Sequence, residues 1–233
     1  MKKFWAFCLV LVMVMAMGSA SAAGKLSVDQ ENFHVIDSYS LYGYCYAKVS
    51  NSGDKPIKVN AGLMEIYNAD GDALTSTDWY YGYAEYLQPG EYTYVELNDE
   101  IEDVEASEVA DYMLTMTGKA DTDYVSYRFP CTTSYEPNVE EGYWTYNYMY
   151  ATFTNDLDFP VYDINVVLAL LDAEGNILYM DDTYMYTDKA VMPGSSIEVR
   201  KEVDSSFVEY FEQNGLVPAS VDAIAYAIFE SEY

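Results

Sequence analysis

Apolar and polar side chains alternate along most of this chain, and this two-residue period predicts half-buried β-strands. In the first half, Cys45 and Ala47 share one parity and are expected to line a core. Tyr42, Tyr44 and Tyr46 have the opposite parity and are therefore expected to face outward. Residues typical of turns (Gly, Pro, Asn and Asp) separate such segments about every 8 to 12 residues, which favours an all-β sandwich.

The pattern occurs twice in the chain. Residues 42–97 align with residues 146–201 at a constant offset of 104 without a gap, and about 15 of the 56 aligned positions are identical. The identical positions include the outward tyrosines, which return as Tyr146, Tyr148 and Tyr150. We therefore predict a tandem duplication of one unit.

The repeat has the size of a whole small domain rather than of a solenoid unit. We predict an all-β fold of two tandem immunoglobulin-like β-sandwich domains, residues 25–129 and 130–233, each with a short crossover helix or helical turn. Residues 124–129 are expected to form an extra strand that pairs with the end of the first domain. Ser206 and Glu209 have capping-box spacing, which predicts a short helix in the second domain.

Residues 1–22 have the organisation of a secretory signal peptide. Lys2 and Lys3 precede an apolar run over residues 4–17, and a small-residue cleavage site ends at Ala22. The run is shorter than the roughly 20 apolar residues that a membrane-spanning helix needs. We therefore expect export, a secreted, extracellular or periplasmic location, and no membrane insertion after the signal is cleaved.

The chain is strongly acidic, with 39 Asp and Glu against 11 Lys and Arg and a formal net charge of −28. Binding to nucleic-acid phosphates requires clustered Lys and Arg, which this sequence lacks. Nucleic acid is therefore excluded as a partner, and anionic membrane surfaces are disfavoured. The charge is expected to serve solubility.

Catalytic and metal chemistry find little support in the sequence. The chain has one histidine, His34, so neither a Ser-His-Asp arrangement nor a Cys/His zinc site is expected. We therefore predict a protein that is not an enzyme and has no cofactor. Cys45 and Cys131 remain after signal cleavage, and the sequence allows either a disulfide between them or two free thiols. Met149 occupies the position equivalent to Cys45, which favours a role for Cys45 as a buried apolar side chain.

Tyrosine is the feature that the fold alone does not require, with 26 residues in the chain. Tyrosine combines a flat apolar ring with a hydroxyl at low entropic cost, and it is enriched at binding surfaces. Tyrosine is also a good strand former, and the other interpretation is that the two domains bury these faces against each other. The candidate binding residues are Tyr42, Tyr44, Tyr46, Trp79, Tyr81, Tyr83, Tyr146, Tyr148 and Tyr150.

The turn at Asn68, Asp70 and Asp72 alternates polar residues as a calcium loop does. The glycine position and the terminal glutamate of such a loop are not in place, so a plain hairpin turn is favoured and no metal site is predicted. Calcium dependence is kept as the weaker alternative.

Two segments resemble the Phe-x-Leu-Tyr-Asp motif of the FxLYD domain of bacterial exported proteins. These are residues 64–71 and 168–175, and Leu-x-Pro-Gly-like turns follow at residues 87–90 and 191–194. The resemblance implies an immunoglobulin-like sandwich without known catalytic residues.

Together these features lead us to expect an exported, non-catalytic binding or adhesion module whose tyrosine-rich sheet face takes an unknown protein or glycan partner. A structural or envelope-assembly protein, in which that face only packs domains, is the alternative from a different class.

Overall fold

The computed structural model describes residues 24–185 and 190–231 and shows an all-β fold with one α-helix. The predicted signal peptide at residues 1–22 lies outside the described residues. The strands are β1 (Leu26–Asp37), β2 (Leu41–Asn51), β3 (Ile57–Asn68), β4 (Ala73–Thr77), β5 (Tyr81–Gly82), β6 (Tyr86–Leu87), β7 (Tyr92–Glu100), β8 (Val109–Ala120), β9 (Tyr124–Phe129), β10 (Cys131–Glu141), β11 (Trp144–Thr154), β12 (Ile164–Leu171), β13 (Ile177–Met185), β14 (Ser196–Glu202) and β15 (Ser220–Glu230).

The strands form four antiparallel sheets, two in each half of the chain. In the first half, sheet A has the order β1-β2-β7-β5, and sheet B places β4, β6 and β8 beside β3. In the second half, sheet C has the order β13-β12-β15-β9 and sheet D the order β10-β11-β14. The order β1-β2-β7 thus returns as β10-β11-β14, and β4-β3-β8 returns as β13-β12-β15, which agrees with the duplication predicted from the sequence.

One predicted strand pairing is wrong. Strand β9 pairs with β15, with Phe129 opposite Ala225, and not with β8 at the end of the first half. Its hydrogen bonds therefore place β9 at the edge of sheet C in the second half. Local alternation predicts that a strand exists, but the edge that it joins depends on residues about 100 positions away.

The predicted helix is present as α1 (Ser205–Asn214), although its N-cap differs from the prediction. Asp204 is the N-cap, and its carboxylate accepts a hydrogen bond from the Ser206 backbone N–H at 2.8 Å. Gly215 ends the helix in the left-handed region at φ 67°. Among the described residues of the first half, a 3-10 turn, Ala106–Glu108, precedes β8. Within the described residues no helix has the length and apolarity needed to span a membrane.

The inward parity predicted for Cys45 and Ala47 is confirmed, and the equivalent residues Met149 and Ala151 are fully buried as well. Cys45 and Val95 of sheet A and Ile57 and Met64 of sheet B are fully buried between those sheets. Cys45 and Cys131 are both free thiols, so no disulfide joins the two strands that carry them. Cys45 therefore acts as the apolar filler that Met149 provides in the second copy.

Two buried asparagines, Asn51 and Asn155, hold the equivalent loops of both copies. The Asn51 amide donates to the carbonyls of Lys55 at 2.8 Å and Leu87 at 3.0 Å. The Asn155 amide donates to the carbonyls 104 residues further on, Phe159 at 3.0 Å and Val191 at 2.8 Å. The duplication therefore preserves a hydrogen-bond network as well as a strand pattern. Each side-chain amide donates to two backbone carbonyls of its loop, which explains why asparagine stands at both positions.

Candidate functional site

The tyrosine face of the first copy does not face solvent. Tyr46 is 1% exposed, and Tyr42 and Tyr44 are half-buried. The ring of Tyr44 meets Phe207 of α1 edge-on at a centroid distance of 4.9 Å, and the Tyr46 ring lies 6.2 Å from Phe207. Of the two outcomes left open by the sequence, Tyr46 therefore shows the packing one, because the second half of the chain covers it.

Carboxylates of sheet C accept hydrogen bonds from further tyrosines of sheet A. The hydroxyls of Tyr92 and Tyr94 both donate to Oδ2 of Asp222, each at 2.7 Å, and the Tyr83 hydroxyl donates to Oδ1 of Asp182 at 3.3 Å. Burial, followed by the nearby Asp222 carboxylate, raises the pKa of Tyr92 and Tyr94 well above their usual range. These hydroxyls stay protonated and act as donors that join the two halves.

The face of sheet C that receives these tyrosines is centred on β12. Asp182 lies opposite Val167, and Asp222 lies opposite Ala169, so the four side chains share one face of the sheet. Val167 and Ala169 are fully buried, as are Leu168 and Leu170 on the other face. The apolar run of β12 is the signal for this arrangement, because a strand buried on both faces loses its polar alternation.

Contacts at the edges fix the position of the two halves. The Gln30 amide donates to the Gly175 carbonyl at 2.8 Å, and the Nε2 of His34 lies 3.1 Å from the Ile177 carbonyl oxygen. At the other end the Arg128 guanidinium donates to the Tyr92 carbonyl. Burial lowers the pKa of His34, so the single histidine is a neutral structural residue at neutral pH.

The tyrosine face of the second copy has a different environment. Tyr146, Tyr148 and Tyr150 lie along β11 on the outer side of sheet D, and among the described residues their aromatic partners are one another, with ring centroids 5.7 Å and 6.2 Å apart. The Arg200 guanidinium lies 4.2 Å from the centroid of the Tyr148 ring. Trp144 continues the row and is 70% exposed. We call Trp144, Tyr146, Tyr148, Tyr150 and Arg200 the sheet D aromatic row.

Acidic side chains border the sheet D aromatic row. Arg200 Nη1 lies 2.8 Å from Oε1 of Glu141, and both side chains are about half exposed. By strand register Glu136 and Glu202 flank Tyr148 on either side. The row is therefore a strip of rings with one cation, set between carboxylates. Tyr148 is 4% exposed beneath Arg200, Tyr146 and Tyr150 are half-buried, and Trp144 is the most exposed ring of the row. This composition suits a polar partner that offers hydrogen-bond donors and an apolar surface.

The candidate binding residues Trp79, Tyr81 and Tyr83 lie in two different environments. Trp79 and Tyr81 are 68% and 46% exposed, and their rings meet edge-on at 6.3 Å. Tyr83 is buried between the halves, where its hydroxyl is used by Asp182. Only Trp79 and Tyr81 of this cluster remain accessible to a ligand.

The acidic turn considered for calcium is organised by its own backbone. Oδ1 of Asn68 accepts hydrogen bonds from the N–H groups of Asp70 at 3.0 Å and Asp72 at 2.9 Å. Across residues 24–185 and 190–231, no group of three or more His, Cys, Asp or Glu side chains is placed to hold a metal ion. The Asn68 oxygen therefore serves the hairpin turn.

Comparison with known proteins adds little to this geometry. No family model matches the chain, and no curated protein matches it. The FxLYD resemblance consequently stays a prediction. Among solved structures, red sea bream transglutaminase is similar at 12% identity and a TM-score of 0.23, over 88% of this chain and 31% of that one. The chain spans about a third of that protein's length, and a similarity this weak carries no argument about fold or activity.

Proposed function

We propose that this protein is an exported, non-catalytic binding module of the FxLYD type, and that the sheet D aromatic row binds a protein or glycan partner. The single observation that supports this is the contrast between the two copies. Phe207 of the second half packs on the first tyrosine triplet, whereas the rings of the second triplet contact one another and Arg200 of the neighbouring strand. Tyr148 is 4% exposed, Tyr146 and Tyr150 are half-buried, and Trp144 is the exposed end of the row.

The chemistry of the row supports both partner classes. The exposed indole of Trp144 has an N–H that can donate to a partner, while the Tyr148 and Tyr150 hydroxyls are hydrogen-bonded within the chain. The three tyrosine rings lie about 6 Å apart and form an apolar strip along one strand. Such a strip packs against the apolar faces of sugar rings or against a protein surface. Arg200 adds a cation for a carboxylate or carbonyl of the partner.

A structural role is the second candidate, and the burial of Tyr46 favours it for the first copy. Under this alternative both tyrosine triplets serve only for packing. The sheet D aromatic row would then contact a neighbouring protein of an envelope assembly. The two candidates differ in what a mutation of the row changes, because a ligand surface loses binding and a packing surface loses assembly.

A glycan array and a cell-wall pulldown with the mature protein test the proposal. We expect Tyr146→Ala combined with Tyr150→Ala to abolish capture of the ligand while the urea unfolding midpoint stays close to that of the wild type. Tyr39→Ala is the matched control, because Tyr39 is fully exposed in the loop between β1 and β2, away from the row. Retained binding in the double variant contradicts the proposal. Addition of chelator is expected to leave the melting curve unchanged, and a large decrease would favour the calcium-dependent alternative.

A further inference from the structure

A cavity of about 350 Å³ lies between the two halves of the chain, and no step of the proposed function uses it. Sheet A contributes one wall, and β13 together with the start of α1 contributes the other. Its volume falls at the lower end of the range found for small-molecule sites. The aromatic side chains that line it are Tyr44, Tyr46, Tyr81, Tyr83, Tyr179 and Phe207.

Four carboxylates also line the cavity: Glu96, Asp181, Asp182 and Asp204. The cations near these four carboxylates do not neutralise all of their negative charge. Asp181 has a cationic partner, Lys201, at 2.9 Å, whereas Asp182 accepts from the Tyr83 hydroxyl. Among the described residues that line the cavity there is no Lys or Arg.

Glu96 is placed at the centre of the aromatic wall. By strand register it lies opposite Tyr46 on one side and opposite Tyr81 on the other, so the carboxylate stands between two rings. Its hydrogen bond comes from the neutral amide of Asn98 at 2.8 Å. The carboxylate thus has a hydrogen-bond donor without a neutralising charge.

This combination selects one chemical class of ligand. Aromatic faces attract cations through their quadrupole, and partly desolvated carboxylates attract them through charge. A bare divalent metal ion is disfavoured, because the acidic groups of the described residues are not grouped closely enough to coordinate one. We propose that this cavity is a binding site for a small organic ammonium ion, held by the accessible rings of Tyr44 and Tyr81 and the carboxylate of Glu96.

The protonation state of Glu96 gives the site a pH dependence. Burial, with Asp181 and Asp182 nearby, raises the pKa of Glu96 to about 7, although the Asn98 hydrogen bond opposes the shift. Lys201, 2.9 Å from Asp181, is a cation that faces these groups, and the Asp204 carboxylate faces the cavity from the start of α1. A bound ammonium favours the ionised carboxylate, so binding releases a proton. Affinity is therefore expected to rise as the pH increases from 6 to 8, through the pKa of about 7.

Isothermal titration calorimetry of the full chain with choline tests the site, in about 0.15 M sodium chloride so that diffuse attraction to the acidic surface is screened. The comparison ligand is 3,3-dimethyl-1-butanol, which has the shape of choline without its charge. We expect saturable choline binding with a Kd of about 1 mM or tighter, and binding of the neutral analogue at least about tenfold weaker.

Variants assign the binding to the cavity. Glu96→Gln is expected to weaken choline binding about tenfold or more, and Glu198→Gln, which removes the same charge on the exposed side of β14, is expected to leave it unchanged. Tyr81→Leu is the second variant, because Tyr81 is 46% exposed and its replacement does not disturb the core. The proposal is overturned if choline binds no better than its neutral analogue, or if Glu96→Gln and Tyr81→Leu both bind choline as the wild type does.

Discussion

Replacement of Asp222 by Ala tests whether the buried tyrosines join the two halves. One carboxylate oxygen accepts from both Tyr92 and Tyr94 at 2.7 Å, and a hydrogen bond to a charged group contributes about 1.5 to 3 kcal/mol. The variant leaves two hydroxyls without that acceptor, and Tyr94 is almost fully buried. Loss of one negative charge from a chain with a net charge of −28 offsets part of the cost. We expect the free energy of unfolding to fall by about 3 to 4 kcal/mol.

Urea unfolding followed by tyrosine and tryptophan fluorescence measures this change. The matched control is Asp156→Ala, since Asp156 also accepts from one tyrosine hydroxyl, that of Tyr127, at 3.1 Å, but on an exposed surface. The control is expected to cost less than about 0.5 kcal/mol. Tyr94→Phe should lose most of its effect when it is combined with Asp222→Ala, because both changes remove the same hydrogen bond.

Two results would refute the reasoning. The first is an unfolding free energy for Asp222→Ala within about 1 kcal/mol of the wild type, or equal to that of Asp156→Ala. The second is full additivity of Tyr94→Phe and Asp222→Ala, which would show that the 2.7 Å contact contributes no coupling.

Three further predictions concern the loops, the pH dependence and the thiols. Asn155→Ala removes three hydrogen bonds and is expected to lower the free energy of unfolding by about 3 kcal/mol, measured by urea unfolding. The control is Asn60→Ala, which removes an exposed side chain and is expected to cost less than about 0.5 kcal/mol. Equal effects of the two variants would contradict a role for the buried amide. The folded-state pKa of Glu96 is raised from 4.5 to about 7, so the native state binds the extra proton and stability falls as the pH rises through that window. Glu96→Gln should therefore gain up to about 3 kcal/mol over the wild type at pH 8 but little at pH 4, and a pH-independent difference would contradict the shift. Burial raises the pKa of the Cys45 thiol, so mass spectrometry after iodoacetamide treatment should find Cys45 unmodified until the protein unfolds, while the half-buried Cys131 reacts earlier.

The predictions from local pattern held where the physical cause was itself local. Alternation identified Cys45 and Ala47 as core residues, and the turn after β3 formed where Asn68 and Gly71 supply its chemistry. The N-cap of α1 was misplaced by two residues, because Asp204 and Ser206 both favour that position and the sequence does not decide between them.

The candidate site was harder to predict, because the same signal led to two outcomes. Tyr46 and Tyr150 occupy equivalent positions and have the same parity, but the first is buried against Phe207 and Met180 and the second lies in the sheet D aromatic row. Nothing within either strand distinguishes them. The unbroken apolar run of β12 is the feature from which the covered face could have been inferred.

The sequence by itself determined which residues form strands and which side of each strand turns inward, since these properties depend on neighbours within a few positions. It also determined that the unit occurs twice, because the two copies can be compared position by position. The tertiary structure decided which outward faces are covered. Sheet A packs on sheet C because Val167 and Ala169 present an apolar surface, with Asp182 and Asp222 placed to accept the tyrosine hydroxyls. Those partners lie more than 90 residues from the tyrosines that they bind. Burial of a face is a property of two distant segments, so only their meeting separates a packing tyrosine from one available to a partner.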